Sequence, residues 1–304
     1  MVNRKTRLSK DFLNEYILCG KMRGLQEAIS ERYNLQLMRC PMHLSIGQEY
    51  WLPLVGKYSQ KGDRFFSSHR SHSMYMALRG SVRAMIAELY GLEEGCTGGK
   101  GGSMHLKDLE VGLEASVPIV GSSIPLAVGS ALSAKHSKKN ILSVAYFGDG
   151  ACEEGTLHEC LNFCSVQKLP ILFLCENNMY SCNTRIERRQ PTKDMKRFAK
   201  AALIKSYEIR ADNTYSKMNG ILKECFSEAR EKPIFLEINS YRLYEHCGNK
   251  KDESNGDRTI SEYKEYEKYD LVSEMIRQFK EVKNAYTDRI EDVHRICNEM
   301  EGVI

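Results

Sequence analysis

Residues 148–180 read GDGACEEGTLHECLNFCSVQKLPILFLCENNMY. An apolar run, residues 141–147, leads into them and predicts a buried strand. The run stops at Gly148-Asp149-Gly150, where two glycines flank one carboxylate and allow a sharp turn or a close approach to a ligand. Leu157, Cys160, Leu161 and Cys164 then fall on one face of a predicted helix. Pro170 marks the next turn, and residues 171–175 predict a second short strand that ends at Glu176-Asn177-Asn178. Strand, helix, strand implies two parallel neighbours joined by a right-handed crossover. Their carboxyl ends, carrying Asp149 and Asn178, therefore meet at the sheet edge where open α/β folds bind ligands.

A carboxylate and an amide side by side offer hard oxygen ligands. Magnesium favours such ligands and completes its octahedron with phosphate oxygens and water. The pair therefore reads as a magnesium–diphosphate site. Taken singly, an Asp or Asn at such a place more often caps a helix or turn. Two of them at strand ends one crossover apart favour the metal reading.

Further motifs follow in order: HLSIGQE at 43–49, HRSH at 69–72, GKGGSMH at 99–105, IPLAVGSAL at 124–132, ENNMYS at 176–181 and YRLYEH at 241–246. With the GDG…NN spacing, a thiamine diphosphate fingerprint, this series resembles the alpha subunit of the dehydrogenase component of 2-oxo acid dehydrogenase complexes. That is the pyruvate and acetoin dehydrogenase family, and the likeness spans roughly residues 10–270. It implies an α/β thiamine diphosphate-binding fold, a doubly wound and mostly parallel sheet flanked by helices.

The resemblance also implies roles. Asp149 and Asn178 would bind magnesium through their side chains and Tyr180 through its carbonyl, with Gly148, Gly150 and Ala151 forming the turn beside the cofactor. His69, Arg70, Arg242 and His246 would meet the diphosphate. Guanidinium groups suit that task because they bind phosphate oxygens two at a time. His72 would line the reaction cavity and handle protons there, with His246 as a second catalytic candidate. Backbone at Pro118 and Val120 would contact the aminopyrimidine. The implied reaction is oxidative decarboxylation of a 2-oxo acid, with acyl transfer to a lipoyl group on an acyltransferase partner. The glutamate that protonates the aminopyrimidine belongs to a separate pyrimidine-binding domain, and too little chain follows residue 238 to form one. The resemblance therefore implies a beta subunit and an α2β2 assembly. Two alternatives stay open: the alpha half of a carbon–carbon ligase using an aldehyde acceptor, and a non-catalytic phosphate-binding subunit. In regulated relatives a serine follows the last histidine; here it is Cys247, so phosphorylation at that point is not expected.

The 304 residues suffice for one large domain. The expected division is a diphosphate-binding α/β domain with an N-terminal helix at 1–258 and a helical extension of it at 259–304. A net charge of +4, without a basic stripe, argues against nucleic acid. No apolar run reaches the length of a membrane span, and the basic start (Arg4, Lys5, Arg7) lacks an apolar signal core. Eleven cysteines, an odd number without a CxxC pair, fit reduced thiols in a cytoplasmic enzyme. Elsewhere the periodicity predicts helices over 9–33, 121–134, 194–202 and 215–231 and strands over 203–209 and 234–238. Trp51 reads as packing. The five glycines between 95 and 102 exclude helix and strand, and His105 is the most chemical residue of that loop. The polar run 250–258 is expected to be mobile until cofactor binds.

Overall fold

The computed structural model describes residues 8–303; the basic residues Arg4, Lys5 and Arg7 lie outside them. Ser9 caps a single tight turn at Lys10–Phe12, its hydroxyl accepting from the Asp11 N–H, and α1 (Leu13–Tyr33) follows. Then come α2 (Leu52–Tyr58), β1 (Arg64–Ser68), α3 (His72–Ala77), α4 (Val82–Leu89), β2 (Leu113–Val117) and α5 (Ser123–His136). The central stretch supplies β3 (Ser143–Gly148), α6 (Gly155–Gln167), β4 (Ile171–Asn177) and the two-residue strands β5 (Tyr180–Ser181) and β6 (Thr184–Arg185). The rest is α7 (Lys196–Ala201), β7 (Lys205–Ile209), α8 (Tyr215–Glu228), β8 (Ile234–Asn239), α9 (Ile260–Glu267), α10 (Leu271–Gln278) and α11 (Lys280–Glu301).

Six strands form one sheet in the order β2-β1-β3-β4-β8-β7, and every pair in it is parallel. The sheet is thus of the doubly wound kind that the central crossover implies. β5 and β6 make a separate antiparallel hairpin. β1 and β2 are additions to the sequence-based expectation.

The interior strands separate two cores. Val144, Tyr146, Leu172, Leu174, Leu236 and Ile238 pack into the core that α1, α2, α8, α10 and α11 share. Their alternates Ala145, Phe147, Ile171, Phe173, Cys175 and Phe235 pack into a second core with α5, α6 and α7. Side chains alternate across a strand, so β3 and β4 must be apolar at nearly every position to fill both. Cys160 and Cys164 sit in the second core as small apolar residues. On the far side, α11 lies along α1, and Gly24 permits the approach: a Cβ there would stand 2.5 Å from the Tyr286 carbonyl oxygen.

Strand order fixes where a ligand can sit. The chain leaves β1 for β2 on one side, whereas β3 leads to β4 on the other. The connections diverge between β1 and β3, which opens a crevice beyond the carboxyl ends of the strands. No helix among the described residues is long and apolar enough to cross a membrane.

Candidate active site

The residues just past the strand ends line one cavity of about 240 Å³. β1 delivers Ser68, His69 and Arg70; the turn after β2 delivers Pro118, Ile119 and Val120; β3 delivers Gly148 to Ala151; β4 delivers Glu176 and Asn178; the chain after β8 delivers Arg242 and His246. The parallel register makes this inevitable. Gly148 pairs with Glu176, and Asn177 with Asn239, so the three strand ends finish level. All the sequence-predicted cofactor residues therefore face one space, joined by His43, Gln48, Met104, Tyr146 and Cys182.

Asp149 is almost wholly buried. Burial pushes its carboxyl up, while the guanidinium of Arg189 and the backbone N–H of Asn178 pull against that shift. Arg189 Nη2 stands 2.5 Å from Asp149 Oδ2. Asn178 Oδ1 accepts the Tyr180 N–H at 3.0 Å, which turns the chain into the β5–β6 hairpin. That hairpin lies over the GDG turn, and Gly150 leaves room for it: a Cβ at 150 would stand 2.8 Å from Ser181 Oγ. Gly148 has ordinary extended dihedrals, and a Cβ there would approach the Glu176 carbonyl oxygen no closer than 3.9 Å, so its turn makes no demand for glycine.

The opposite wall is cationic and imidazole-rich. Arg70 is buried; it donates to the Leu44 carbonyl at 2.6 Å and to the His246 carbonyl at 2.9 Å. Burial lowers its pKa to about 10, so it stays charged at neutral pH. Arg242 donates to the carbonyls of Tyr244 (2.8 Å) and Cys182 (3.0 Å) and pairs with Asp252 at 3.3 Å. Burial first, then Arg70 and Arg258, depress its pKa. His43, His69 and His246 group their rings at centroid separations of 4.9 to 5.4 Å. Burial and then the nearby Arg70 push their pKa values down to about 4, 2 and 3, so all three are neutral near pH 7. Their ring nitrogens lie within 4.8 Å of one another, a spacing that suits a metal ion. Two adjacent guanidiniums oppose a cation there and make this end of the cavity a cradle for an anion.

Two histidines stand elsewhere than the sequence reading put them. His72 opens α3 with its ring turned inward and fully buried, outside the cavity lining. Its Nε2 lies 2.7 Å from Ser103 Oγ, which also accepts the His43 N–H at 3.1 Å. It reaches the cavity only through those neighbours. His105 folds back onto its own loop, Nδ1 donating to the Gly101 carbonyl at 2.8 Å. The glycine loop is held from behind: the Glu88 carboxylate accepts the N–H groups of Thr97, Gly99, Gly101 and Gly102 at 2.7 to 2.9 Å.

Glu176 is the titratable group that the sequence reading left without a role. It lines the cavity, accepting from Trp51 Nε1 at 2.9 Å and from the Tyr146 hydroxyl. Burial raises its pKa to about 7. Its signal was its place at the head of the ENN motif; Trp51 carried none beyond bulk. The polar run 250–258 is tied down: Asp252 is buried between Arg242 and Arg258, and the Arg258 guanidinium lies 4.4 and 4.6 Å from the ring centres of Tyr180 and Tyr241.

Residues 20–297 match the family model described as "Dehydrogenase E1 component". The chain is 29% identical over 293 residues to a pyruvate dehydrogenase E1 component subunit alpha of Rickettsia felis, covering 94% of this chain and 90% of that protein. It is 32% identical over 248 residues to a mitochondrial pyruvate dehydrogenase E1 component subunit alpha-1 of Arabidopsis thaliana, covering 78% and 61%. A 167-residue part, 55% of this chain, is 38% identical to half of the alpha subunit of an acetoin:2,6-dichlorophenolindophenol oxidoreductase of Bacillus subtilis. A match over nearly the whole chain, joined to a cavity at the switch point of a parallel sheet, decides the family. The chain belongs to the dehydrogenase E1 component family and is the alpha subunit of a thiamine diphosphate-dependent 2-oxo acid dehydrogenase.

Proposed function

We propose that this chain holds Mg2+ and the diphosphate of thiamine diphosphate in the cavity, and that with its beta subunit it decarboxylates pyruvate or a closely related 2-oxo acid. The carrying observation is the union, in one space, of an oxygen donor set (Asp149, Asn178, Tyr180) with a buried cationic wall (Arg70, Arg242). The donors fit the ion: one carboxylate, one amide and one carbonyl are hard ligands, and Asp149 already attracts a cationic side chain. When bound, the cofactor supplies the nucleophilic carbon that adds to the oxo group and accepts the electrons left by departing carbon dioxide.

This chain's own residues bind and orient. Arg70 and Arg242 offset phosphate charge from fixed positions, since backbone carbonyls and Asp252 lock both guanidiniums. The neutral imidazoles of His43, His69 and His246 add no charge, and His43 spends its Nδ1–H on the Pro41 carbonyl at 3.2 Å. Nδ1 of His246 accepts from Arg70 at 3.3 Å, which leaves its Nε2–H to face a ligand. Pro118 and Val120 line the cavity, where they would meet the aminopyrimidine. His72 fits a positioning role, through Ser103, better than proton transfer at the substrate.

Ile119 and Val120 at the rim, with Leu126, Phe163 and Val166 on α5 and α6, leave large apolar side chains exposed. That surface supports a beta partner that brings the pyrimidine-binding domain, in an α2β2 assembly, with a lipoyl-bearing acyltransferase receiving the acyl group. Residues 259–304 fit an extension of the same domain, since α11 packs along α1. All eleven cysteines are unpaired, which supports the cytoplasm. The test is calorimetry on the chain reconstituted with its beta subunit: thiamine diphosphate binds only with Mg2+, and Asp149→Ala abolishes the heat. Turnover of pyruvate by the alpha chain alone would refute the two-chain reading.

A further inference from the structure

Arg189 occupies an unusual place. Its guanidinium bridges Asp149 and Glu153, with Nη2 2.5 Å from Asp149 Oδ2 and Nη1 on Glu153. Its Nε donates to the Thr184 carbonyl at 3.1 Å. The side chain is only 8% exposed, whereas that of neighbouring Arg188 is 72% exposed. Asp149 is nine-tenths buried and more, so an ionised carboxylate there must have a counter-charge. Arg189 is that counter-charge, on a carboxylate oxygen of Asp149, one of the donors that the proposed ion needs.

We infer that Arg189 is a built-in substitute cation for the metal site, displaced from Asp149 when Mg2+ arrives with the diphosphate. This rests on the magnesium reading of Asp149 and Asn178 given above. The physical argument is mutual exclusion. A guanidinium in contact with Asp149 Oδ2 and a divalent ion coordinated to the same carboxylate would be like charges a few ångströms apart in a poorly screened space. The divalent ion wins because it carries twice the charge and brings a diphosphate with it. Displacement needs little backbone movement. Arg189 follows a short turn at Ile186–Arg188, and its N–H stays bonded to the Ile186 carbonyl at 3.0 Å. The hairpin beneath is held separately, by Asp257 accepting the Arg185 N–H and by the Asn183 carbonyl accepting the Asp257 N–H. Rotation of one side chain, with Glu153 retained as its anchor, clears Asp149.

Two properties follow. The empty protein keeps Asp149 paired and the 184–189 segment tied to the GDG turn without a metal. The apparent affinity for Mg2+ is lower than the oxygen ligands alone would give, because the binding-competent state is a minor one.

The experiment is a calorimetric titration of Mg2+ at saturating thiamine diphosphate on the alpha–beta complex, paired with melting of the empty complex. Arg189→Gln is expected to lower the half-saturating Mg2+ by roughly tenfold, the factor for a competent state about one-tenth populated. The same variant is expected to melt earlier when empty and to gain more from Mg2+ than the native protein. Arg189→Lys keeps the charge and is expected to stay within about twofold of native, by the same relation. Glu153→Gln weakens the second anchor and is expected to move half-saturation the same way as Arg189→Gln, by less; it carries the test if Arg189→Gln fails to assemble. An unchanged or raised half-saturation in both variants overturns the inference and makes Arg189 a structural or ligand-binding group. Absence of Mg2+-dependent thiamine diphosphate binding in the native complex would instead remove the magnesium reading itself.

Discussion

Trp51 Nε1 donates to Glu176 Oε1 at 2.9 Å, across 125 positions of chain, and so ties the start of α2 to the carboxyl end of β4. The single tryptophan of the protein thus supports a carboxyl group that faces the cavity. Trp51→Phe keeps the packing and removes the donor. Stability should fall by about 1–3 kcal/mol, the usual cost of leaving a buried acceptor short of a partner. Urea unfolding measures it. In the native protein, tryptophan emission should change when thiamine diphosphate and Mg2+ bind.

Arg70 and Arg242 should matter for the diphosphate more than for the fold's core. Arg70→Gln or Arg242→Gln is expected to weaken thiamine diphosphate by about tenfold to a hundredfold, the loss of one charge-assisted contact of about 1.5–3 kcal/mol. Thiamine monophosphate should be less affected. Equal losses for both ligands would show that the cationic wall serves the fold alone.

The buried histidines set an acid limit on stability. His43, His69, His72 and His246 are all pushed below their ordinary value by burial, to between about 2 and 4. The unfolded chain therefore binds more protons than the folded one below about pH 6.5, the ordinary histidine value, and stability falls as pH drops from there. His72, fully buried, contributes up to about 1.4 kcal/mol per pH unit in that window. Glu176 acts in the opposite sense, since its raised pKa favours the folded state on acidification between its ordinary value and about 7. Burial raises Glu49, Asp149 and Glu237 in the same sense, so the histidine contribution is read by substitution. His72→Gln should flatten the slope of unfolding free energy between pH 6.5 and 5, as read by urea titrations; an unaltered slope would contradict the assignment.

Glu88 should control the glycine loop from outside the site. Burial pushes its carboxyl up, but hydrogen bonds from Thr97, Gly99 and Gly102 outweigh that and leave it below the ordinary glutamate range. Glu88→Ala frees four N–H groups at once. The expected cost is about 3 kcal/mol or more, as for other broken buried networks. Limited proteolysis should then cut within 95–102, where the native loop resists.

The fold was readable where two layers of packing demanded it. β3 and β4 are buried on both faces, so they are continuous apolar runs, and their crossover could be placed from residues 141–180 alone. β1 and β2 escaped notice because Arg64-Phe65-Phe66-Ser67-Ser68 and Leu113-Glu114-Ala115-Ser116-Val117 are short and half polar. The site was readable where motifs sit on strand ends, since the parallel register brings those ends level. His72 stands apart from the cavity because α3 begins at that residue and turns its ring into the protein. A run of four letters, HRSH, gives no hint of that rotation. Arg189 and Glu88 depend wholly on tertiary approach, and no local pattern announces either.

The alternation along β3 has an evolutionary consequence. Val144 and Tyr146 answer to one set of helices and Ala145 and Phe147 to another, with the sheet between the two sets. Drift in the layer beside α5 and α6, where a companion chain would press, can be absorbed there while the α1 and α11 layer keeps its shape. Lineages are thus free to change their companion's footprint and still present Asp149 at an unchanged height above the sheet.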